Sequence, residues 1–255
     1  MSAALQYQFH AITDIGRARS NNEDAVAIVQ ALQVAMVADG MGGYNAGEVA
    51  SALAVQTITE QLTDRLSSAS TCSIDIRQVM QASVQQANQA IFQAALDNPS
   101  CRGMGTTLVL AVFRHDLLVL GHIGDSRCYR LRQGVLQQIT RDHSWLQEQI
   151  DAGTLRPSDA ERSPMRNVLT RALGVEPSVQ VEINEFSVLP GDLFLLCSDG
   201  LTDRLDAEAL TGLTAAALPL AAKAHSMVDR ANALGGRDNI SVVLVQALSQ
   251  GSDNF

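Results

Sequence analysis

The sequence predicts an α+β fold in which two antiparallel sheets are each covered by a pair of helices. Apolar strands and helical stretches come in blocks, in the order strands, helices, strands, helices, strand. Single strands do not alternate with single helices, which argues against a parallel doubly wound sheet. With 255 residues, 46% of them hydrophobic, the chain can bury a sizeable core. We expect one domain over residues 1–247 and a short polar tail at 248–255.

The first block combines three predicted strands with two helices. Residues 5–13 alternate loosely between apolar and polar side chains, as in a strand with one buried face. Residues 25–29 and 33–38 predict a hairpin that leads into a glycine-rich turn at residues 39–43. Apolar residues then recur at helical spacing over 47–66 and 74–96, which predicts an antiparallel helix pair.

The second block is predicted to be a meander of antiparallel strands over residues 106–113, 117–123, 127–131 and 135–139. A short helix over 144–152 follows, and the polar, proline-containing residues 153–165 predict a flap. Later strands are predicted at residues 179–186, 193–197 and 241–246, with a second helix pair in the Ala- and Leu-rich residues 207–234.

The charge balance restricts the partners of this chain. It has 18 Lys and Arg against 27 Asp and Glu, so its formal net charge of -9 repels nucleic acid and anionic membranes. An anionic substrate then requires a local cationic centre.

The four cysteines lack CxxC spacing, which predicts reduced, structural thiols. No signal sequence or membrane-spanning stretch is recognisable, so we expect a cytoplasmic location.

Acidic residues recur at the ends of the predicted strands, in five short blocks around Glu23, Asp39, Asp125, Asp199 and Asp238. Taken singly, each block is ordinary turn chemistry. Together, the apolar strands would carry these carboxylates to one rim of the fold, where they would repel one another. Divalent cations remove that cost, and oxygen ligands favour magnesium or manganese. The histidines are scattered along the chain, so we expect no zinc site.

With these blocks the chain resembles the type 2C metal-dependent serine/threonine protein phosphatases, in particular their compact bacterial members. The motifs occur in order from Asp14 to Asn239, as TDIGRARSNNED, VADGMGG, GMGTT, HIGDSR, CSDGLTD and GGRDNISVV. The resemblance implies a four-layer α-β-β-α sandwich with the metal centre at one end. It also implies hydrolysis of phosphoserine and phosphothreonine on proteins, in opposition to a cytoplasmic serine/threonine kinase.

The resemblance further implies which residues bind the ions, namely two or three Mn2+ or Mg2+. Asp39 is expected to bridge two of them, and the backbone carbonyl of Gly40 to bind the first. Asp199 and Asp238 are expected to bind the second. Glu23 is a ligand or contacts an ion through water. A hydroxide that bridges the two cations would then attack phosphorus directly, because the metals lower the pKa of bound water.

Other residues are assigned supporting roles by the same resemblance. Arg19 is expected to hold phosphate oxygens with its planar, paired donors. Asp24 and Asn239 are placed next to the ligands, Asp24 either beside a metal-bound water or as a turn residue. Asp125 is either a ligand of a third ion or a tight-turn aspartate, and both interpretations stay open.

The flap is expected to tune substrate choice through Ser163 and Arg166. Ser163 precedes Pro164 where compact bacterial relatives often have histidine, so their substrate preferences do not transfer directly. Tyr44 likewise replaces a histidine that could protonate the leaving group. The residues from Asp142 to Ser144 are interpreted as the cap of the following helix rather than as a site.

Two other function classes also use clustered carboxylates or a phosphate-binding site. The first is a catalytically inactive relative that captures phosphoproteins as a sensor, which the presence of Asp39, Asp199 and Asp238 disfavours. The second is a two-metal nuclease or phosphodiesterase, which the acidic surface and the lack of a basic groove disfavour.

Overall fold

The computed structural model describes residues 5–42, 46–67, 75–160 and 163–249. Its strands are β1 (Leu5–Asp14), β2 (Asp24–Val29), β3 (Val34–Met41), β4 (Gly105–Thr106), β5 (Leu108–Arg114), β6 (Leu117–Ile123), β7 (Arg127–Arg132), β8 (Val135–Gln138), β9 (Glu182–Ser187), β10 (Leu193–Cys197) and β11 (Ile240–Ser249). Its helices are α1 (Ala46–Ser67), α2 (Ile76–Asp97), α3 (Trp145–Asp151), α4 (Pro157–Ala160), α5 (Asp199–Thr202), α6 (Ala207–Ala215) and α7 (Leu220–Ala233).

The strands form two antiparallel sheets, which confirms the predicted fold class. One sheet has the order β1-β11-β10-β7-β8, and the other has the order β2-β3-β5-β6-β9 with β4 paired to β3. Helices α1 and α2 pack on the second sheet, whereas α6 and α7 pack on the first. The layers are therefore helix, sheet, sheet and helix.

Strands at the centre of the sandwich are apolar on both faces because both faces are covered. In β10, Leu193 and Leu195 face the α6–α7 layer, while Phe194 packs between the sheets. Strand β5 alternates in the same way, with Leu110 toward α1 and α2 and Phe113 toward Phe194 at a ring distance of 5.3 Å. Successive side chains of a strand point to opposite faces, so one short apolar run serves two core layers.

The predicted meander is wrong in one respect. Strands β5 and β6 pair with each other, and β7 and β8 pair with each other, but these two hairpins belong to different sheets. The chain changes sheet at residues 124–126, which we call the crossing turn. Gly124 makes this change possible with φ +98, a left-handed conformation that favours glycine.

Most other predicted elements are observed with small shifts of their ends. Strand β9 begins at Glu182 rather than at residue 179, and β11 continues to Ser249, past the predicted domain end at 247. The short helices α4 and α5 lie where no helix was predicted, α4 within the flap. Among the described residues, no helix is both long enough and apolar enough to span a bilayer.

The topology places the acidic motifs at one end of the sandwich. Strand β3 ends with Asp39, Gly40 and Met41, and antiparallel β2 begins beside it with Asp24. In the other sheet, β10 runs into Asp199, and antiparallel β11 begins just after Asp238. The ends of both sheets therefore converge on one rim.

Candidate metal centre

A cavity of about 200 Å³ opens at this rim, and we call it the rim cavity. All six residues that the resemblance assigned to metal binding line it, together with the predicted phosphate ligand. They are Glu23, Asp39, Gly40, Asp125, Asp199, Asp238 and Arg19. The structure thus brings together residues separated by more than 200 positions in the chain.

Asp39 is held by its backbone at the centre of this group. Its N–H donates to Thr107 Oγ1 at 3.0 Å, and its carbonyl accepts from the Thr107 N–H at 2.9 Å. Burial raises the pKa of the Asp39 carboxyl well above its ordinary value, and the charges of Asp24 and Asp199 raise it further. A carboxylate in this position needs a cation.

Gly40 allows two loops to approach the bottom of the rim cavity. Its N–H donates to the Glu23 carbonyl at 3.0 Å, and a Cβ at this position would collide with the backbone of Gly47 and Glu23. Only glycine therefore lets the strand end, the Glu23 loop and the start of α1 meet here. The position fits a residue that would act through its backbone carbonyl.

Asn239 organises the Glu23 loop without lining the cavity. Its Oδ1 accepts from the Glu23 N–H at 2.8 Å, and its Nδ2 donates to the carbonyls of Ile15 and Asn21 at 3.0 Å each. One amide side chain thus satisfies three backbone groups. The predicted supporting role for Asn239 therefore has a concrete geometry.

Asp199 and Asp238 approach the cavity from the other sheet. Asp199 is the first residue of α5, and burial raises its pKa well above the ordinary value, followed by repulsion from Asp125 and Asp203. Asp238 Oδ2 accepts a hydrogen bond from Arg19 Nη2 at 2.7 Å, and the two side chains form an ion pair. The Arg19 side chain is 47% exposed. Arg19 is the only cationic side chain among the described residues that line the rim cavity.

Asp24 and Asp125 complete the acidic group on either side. Asp24 Oδ2 accepts from Ser198 Oγ at 2.8 Å, but its buried Oδ1 has no hydrogen-bond partner. Burial, as the largest cause, raises the pKa of Asp24 to about 6, and it does the same for Asp125, where Asp142 adds repulsion. Each value reports a charge that the protein alone does not compensate.

These observations test whether the residues fit divalent cations. The donor set consists of carboxylate and carbonyl oxygens, which hard cations such as Mn2+ and Mg2+ prefer. The uncompensated carboxylates and the orphaned Asp24 Oδ1 are the features that bound cations would neutralise. The site fits such ions.

The flap lies beside the rim cavity. Arg166 and Asn167 line an adjoining cavity of about 580 Å³ that also includes Asp125 and Asp199. Asn167 lines the rim cavity as well, and no sequence signal singled it out. Ser163 Oγ accepts from the Met165 N–H at 3.2 Å, a contact within the flap itself. Residues 161–162 of the flap and Tyr44 lie outside the described residues.

Histidines cluster in one place, contrary to the prediction that they are scattered. His122, His143 and Glu182 have potential ligand atoms within 4.8 Å of one another, and both histidines contact the crossing turn. The sequence offered no signal for this group, because His143 and Glu182 are 39 positions apart. The predicted helix cap is confirmed, since Ser144 Oγ accepts from the Gln147 N–H at 3.2 Å.

Comparisons with known proteins agree with this geometry. Residues 16–241 match the family model described as protein phosphatase 2C. The chain is 37% identical over 237 residues to the serine/threonine phosphatase stp of Listeria innocua serovar 6a, covering 92% of this chain and 93% of that protein. It is 37% identical over 248 residues to the serine/threonine protein phosphatase PstP of Mycobacterium tuberculosis, covering 96% of this chain and 46% of that protein.

A solved structure extends the likeness to three dimensions. The crystal structure of the catalytic domain of serine threonine protein phosphatase PstP in complex with two manganese ions superposes with a TM-score of 0.85 at 35% identity. The match covers 96% of this chain and 100% of that chain.

Proposed function

The chain belongs to the protein phosphatase 2C family, and from this premise we propose that the rim cavity hydrolyses phosphoserine and phosphothreonine in proteins. The chain is a metal-dependent serine/threonine protein phosphatase. The observation that carries the proposal is the convergence of Glu23, Asp39, Gly40, Asp199 and Asp238 on one cavity beside a single arginine.

Each residue has a role that follows from its position. We assign Asp39, Asp199 and Asp238, with Glu23 and the Gly40 carbonyl, to holding two divalent cations, and Asp125 to a third. When bound, Mn2+ or Mg2+ supplies Lewis acidity that lowers the pKa of water and offsets the charge of the phosphate. Asn239 keeps Glu23 in place through the backbone hydrogen bond described above.

Arg19 binds the phosphate group of the substrate in this proposal. In the present structure its Nη2 donates to Asp238, which lies at the mouth of the same cavity. A cation held by Asp238 would compete for that carboxylate and release the guanidinium. The planar fork of Arg19 can then donate two parallel hydrogen bonds to phosphate oxygens, which orient the phosphorus for attack.

The substrates are phosphoproteins, and phosphoryl transfer to serine and threonine hydroxyls is the reaction of a serine/threonine protein kinase. We propose that the chain opposes such a kinase in the cytoplasm. The adjoining cavity of about 580 Å³ and the flap residues Ser163 and Arg166 are the surfaces that would contact the polypeptide around the phosphorylated residue.

Phosphate release from a phosphothreonine peptide tests the proposal. We expect turnover that requires Mn2+ or Mg2+, stops with chelator and returns when the metal is restored. Asp39→Asn should abolish it, whereas the matched control Asp229→Asn, on the exposed surface of α7, should not. Metal-dependent binding of the peptide without turnover would instead identify a sensor, and cleavage of nucleic acid would identify a nuclease.

A further inference from the structure

The crossing turn is the feature from which we draw a further inference. Its middle residue, Asp125, lines both the rim cavity and the adjoining cavity. Its first residue, Gly124, has no room for a side chain, because a Cβ would lie 2.7 Å from Thr107 Cγ2. A turn that crosses between sheets has no strand pairing of its own, so other groups must fix the position of Asp125.

His143 holds the first residue of the turn. Its Nδ1 accepts the Gly124 N–H at 3.2 Å, and its backbone N–H donates to the Gly124 carbonyl at 2.8 Å. The opposite ring nitrogen, Nε2, lies 3.2 Å from Glu182 Oε2. Since Nδ1 must be an acceptor, the ring proton lies on Nε2 and is donated to Glu182.

His122 holds the last residue of the turn. Its Nε2 lies 3.0 Å from the Ser126 carbonyl, which can only accept, so Nε2 carries the proton. Its Nδ1 is buried and has no partner, and burial lowers the pKa of the ring to about 4. The two imidazole rings pack with centroids 4.7 Å apart. We call His122 and His143 the histidine pair.

The turn is also connected to Asp39. Ser126 Oγ and Thr107 Oγ1 form a buried hydrogen bond of 2.7 Å, and the same Thr107 oxygen accepts the Asp39 N–H at 3.0 Å. Both hydroxyl-bearing residues are 2% exposed or less. A displacement of the turn would therefore shift two residues that line the rim cavity, Asp125 and Asp39.

We propose that His122 and His143 are positioning residues that hold the crossing turn from both ends and thereby place Asp125 for cation binding. Glu182 fixes the tautomer of His143 that this requires. The inference rests on the proposed function for the role of Asp125, but the tautomers and the hydrogen bonds are properties of the histidine pair itself.

A metal ion bound by His122, His143 and Glu182 is the competing interpretation. Coordination through Nε2 of His143 would require the ring to lose that proton while Nδ1 still accepts from Gly124, which leaves a fully deprotonated imidazole. Metal-bound histidines usually keep a proton on the other nitrogen and donate it. The hydrogen-bonding role therefore fits the observed geometry better.

Substitution by Asn and Gln separates the roles of the two ring nitrogens. Asn carries its amide oxygen one bond from Cγ, at the place of Nδ1, whereas the amide nitrogen of Gln reaches the place of Nε2. His143→Asn should therefore keep an acceptor for Gly124, and His143→Gln should lose it. The order reverses at the other position, where His122→Gln keeps a donor for Ser126 and His122→Asn does not.

Mn2+ binding, measured from the electron paramagnetic resonance signal of the free ion, provides the first measurement. We expect His143→Gln and His122→Asn to weaken Mn2+ binding at the weakest site by about tenfold or more, as for other groups that orient a ligand. His143→Asn and His122→Gln should stay within about threefold of wild type. In an Asp125→Asn background the four variants should no longer differ at that site, because the positioned ligand is gone.

A role in packing alone predicts a different pattern. Gln fills the space of an imidazole ring better than Asn does, so Gln would be the milder change at both positions. The melting temperature would then change while Mn2+ affinity stayed the same. That result would overturn the proposal. Exposed His225→Gln serves as the control for histidine loss elsewhere.

Nitrogen NMR of 15N-labelled histidine provides the second measurement, and it does not depend on activity. We expect His143 and His122 to be neutral at pH 7 with the proton on Nε2. Glu182→Ala should shift His143 toward a tautomer mixture, whereas Glu185→Ala on the same strand should not. Loss of the His143 Nε2 proton on stoichiometric Zn2+ addition would overturn the assignment in favour of a metal site. Absence of Mn2+-dependent phosphate release by the wild-type protein would count against the proposed function and leave these measurements valid.

Discussion

Strand β10 has an aspartate just beyond each end, and the surroundings of the two carboxylates differ. At one end, Asp192 is 1% exposed and accepts two hydrogen bonds from Arg132, at 2.7 Å and 2.6 Å. It also accepts the Leu189 N–H at 2.8 Å. At the other end, Asp199 faces Asp125, Asp203 and Asp238, whose charges all raise its pKa. One carboxylate is compensated by the protein, and the other is left for a cation.

The difference shows how structural and functional carboxylates can be distinguished in this fold. A buried charge is tolerated when hydrogen bonds and an opposite charge replace water, as at Asp192. Among the described residues that line the rim cavity, the one cation is Arg19, which is half exposed and pairs with Asp238. The rim is therefore unstable as a set of carboxylates and stable as a set of metal ligands.

Asp39→Asn provides the largest expected effect and tests the carboxylates at the rim, where a cation is needed. We expect phosphatase activity to fall by about 10³-fold or more, the scale seen when one member of a catalytic unit is removed. The metal-free protein should become more stable, because one of several repelling charges is gone. The measurements are phosphate release with Mn2+ and thermal unfolding in chelator. A metal-free variant that melts below the wild type would contradict the comparison.

Asp192→Ala tests the carboxylate that the protein itself compensates. It should lower stability and leave activity unchanged. Removing Asp192 costs about 2 kcal/mol, because the Leu189 N–H loses its acceptor and the partly exposed Arg132 loses its counter-charge. Activity per folded molecule should not change. Urea unfolding with a parallel phosphatase assay measures both. The double variant Arg132→Met with Asp192→Leu should recover part of the stability, whereas an activity loss equal to that of Asp39→Asn would erase the distinction between the two ends.

The pH dependence of stability should report the rim carboxylates, with an opposite contribution from His122, whose pKa burial lowers to about 4. Asp24 and Asp125 have pKa values of about 6 in the folded chain, above the ordinary 3.8. Folding then favours their protonated forms, so this stabilisation is present below pH 4 and is lost as the pH rises through about 6. In chelator, we expect ionisation of Asp24 to lower the unfolding free energy by on the order of 2 kcal/mol from pH 4.5 to 7, measured as the difference between the wild type and Asp24→Asn.

Saturating Mn2+ should abolish or reverse that decrease, because cations bind the ionised carboxylates. Asp24→Asn should reduce the slope in chelator, and Asp192→Ala should leave it unchanged. Urea titrations at each pH provide the test. Equal slopes for the wild type and Asp24→Asn in chelator would mean that Asp24 is already compensated.

Arg19→Lys should give the smallest effect and sharpens the contrast between the two arginines. We expect KM for a phosphothreonine peptide to rise by about five- to tenfold, or roughly 1 to 1.4 kcal/mol, because lysine lacks the paired donors. The rate at saturating substrate should change less. Steady-state kinetics decides this, and Arg77→Lys, at an exposed ion pair in the first turn of α2, is the matched control. A defect confined to kcat would show that Arg19 acts only in the transition state.

The sequence predicts the fold well where burial alone decides the structure. Residues 193–197 form β10 with the predicted ends, because an apolar run buried on both faces has no alternative to a central strand. The prediction failed at the crossing turn. Apolar patterning shows that β6 and β7 are strands, but it does not show which sheet each strand joins. That choice depends on Gly124 and its hydrogen bonds to His143.

The candidate site shows the same division. The acidic blocks that end strands were placed at one rim, as predicted, because strand ends converge there in an antiparallel sandwich. Asn167 and the histidine pair were missed because loops bring them into position, and no spacing in the sequence records a contact between His143 and Glu182. The sequence thus identified residues that could bind metal and missed those that orient them.

The pairing of the first and last strands of the chain, β1 and β11, has a practical consequence for engineering. Strands β1 and β11 are in register over their whole length, from Leu5 opposite Ser249 to Asp14 opposite Ile240. Ten residues at about 3.3 Å each place Leu5 and Ser249 roughly 30 Å from the end where Asp14 lies. A fluorescent protein fused beyond Ser249 would therefore emerge far from substrate, and a short peptide joining the two ends would give a circular permutant with the rim intact.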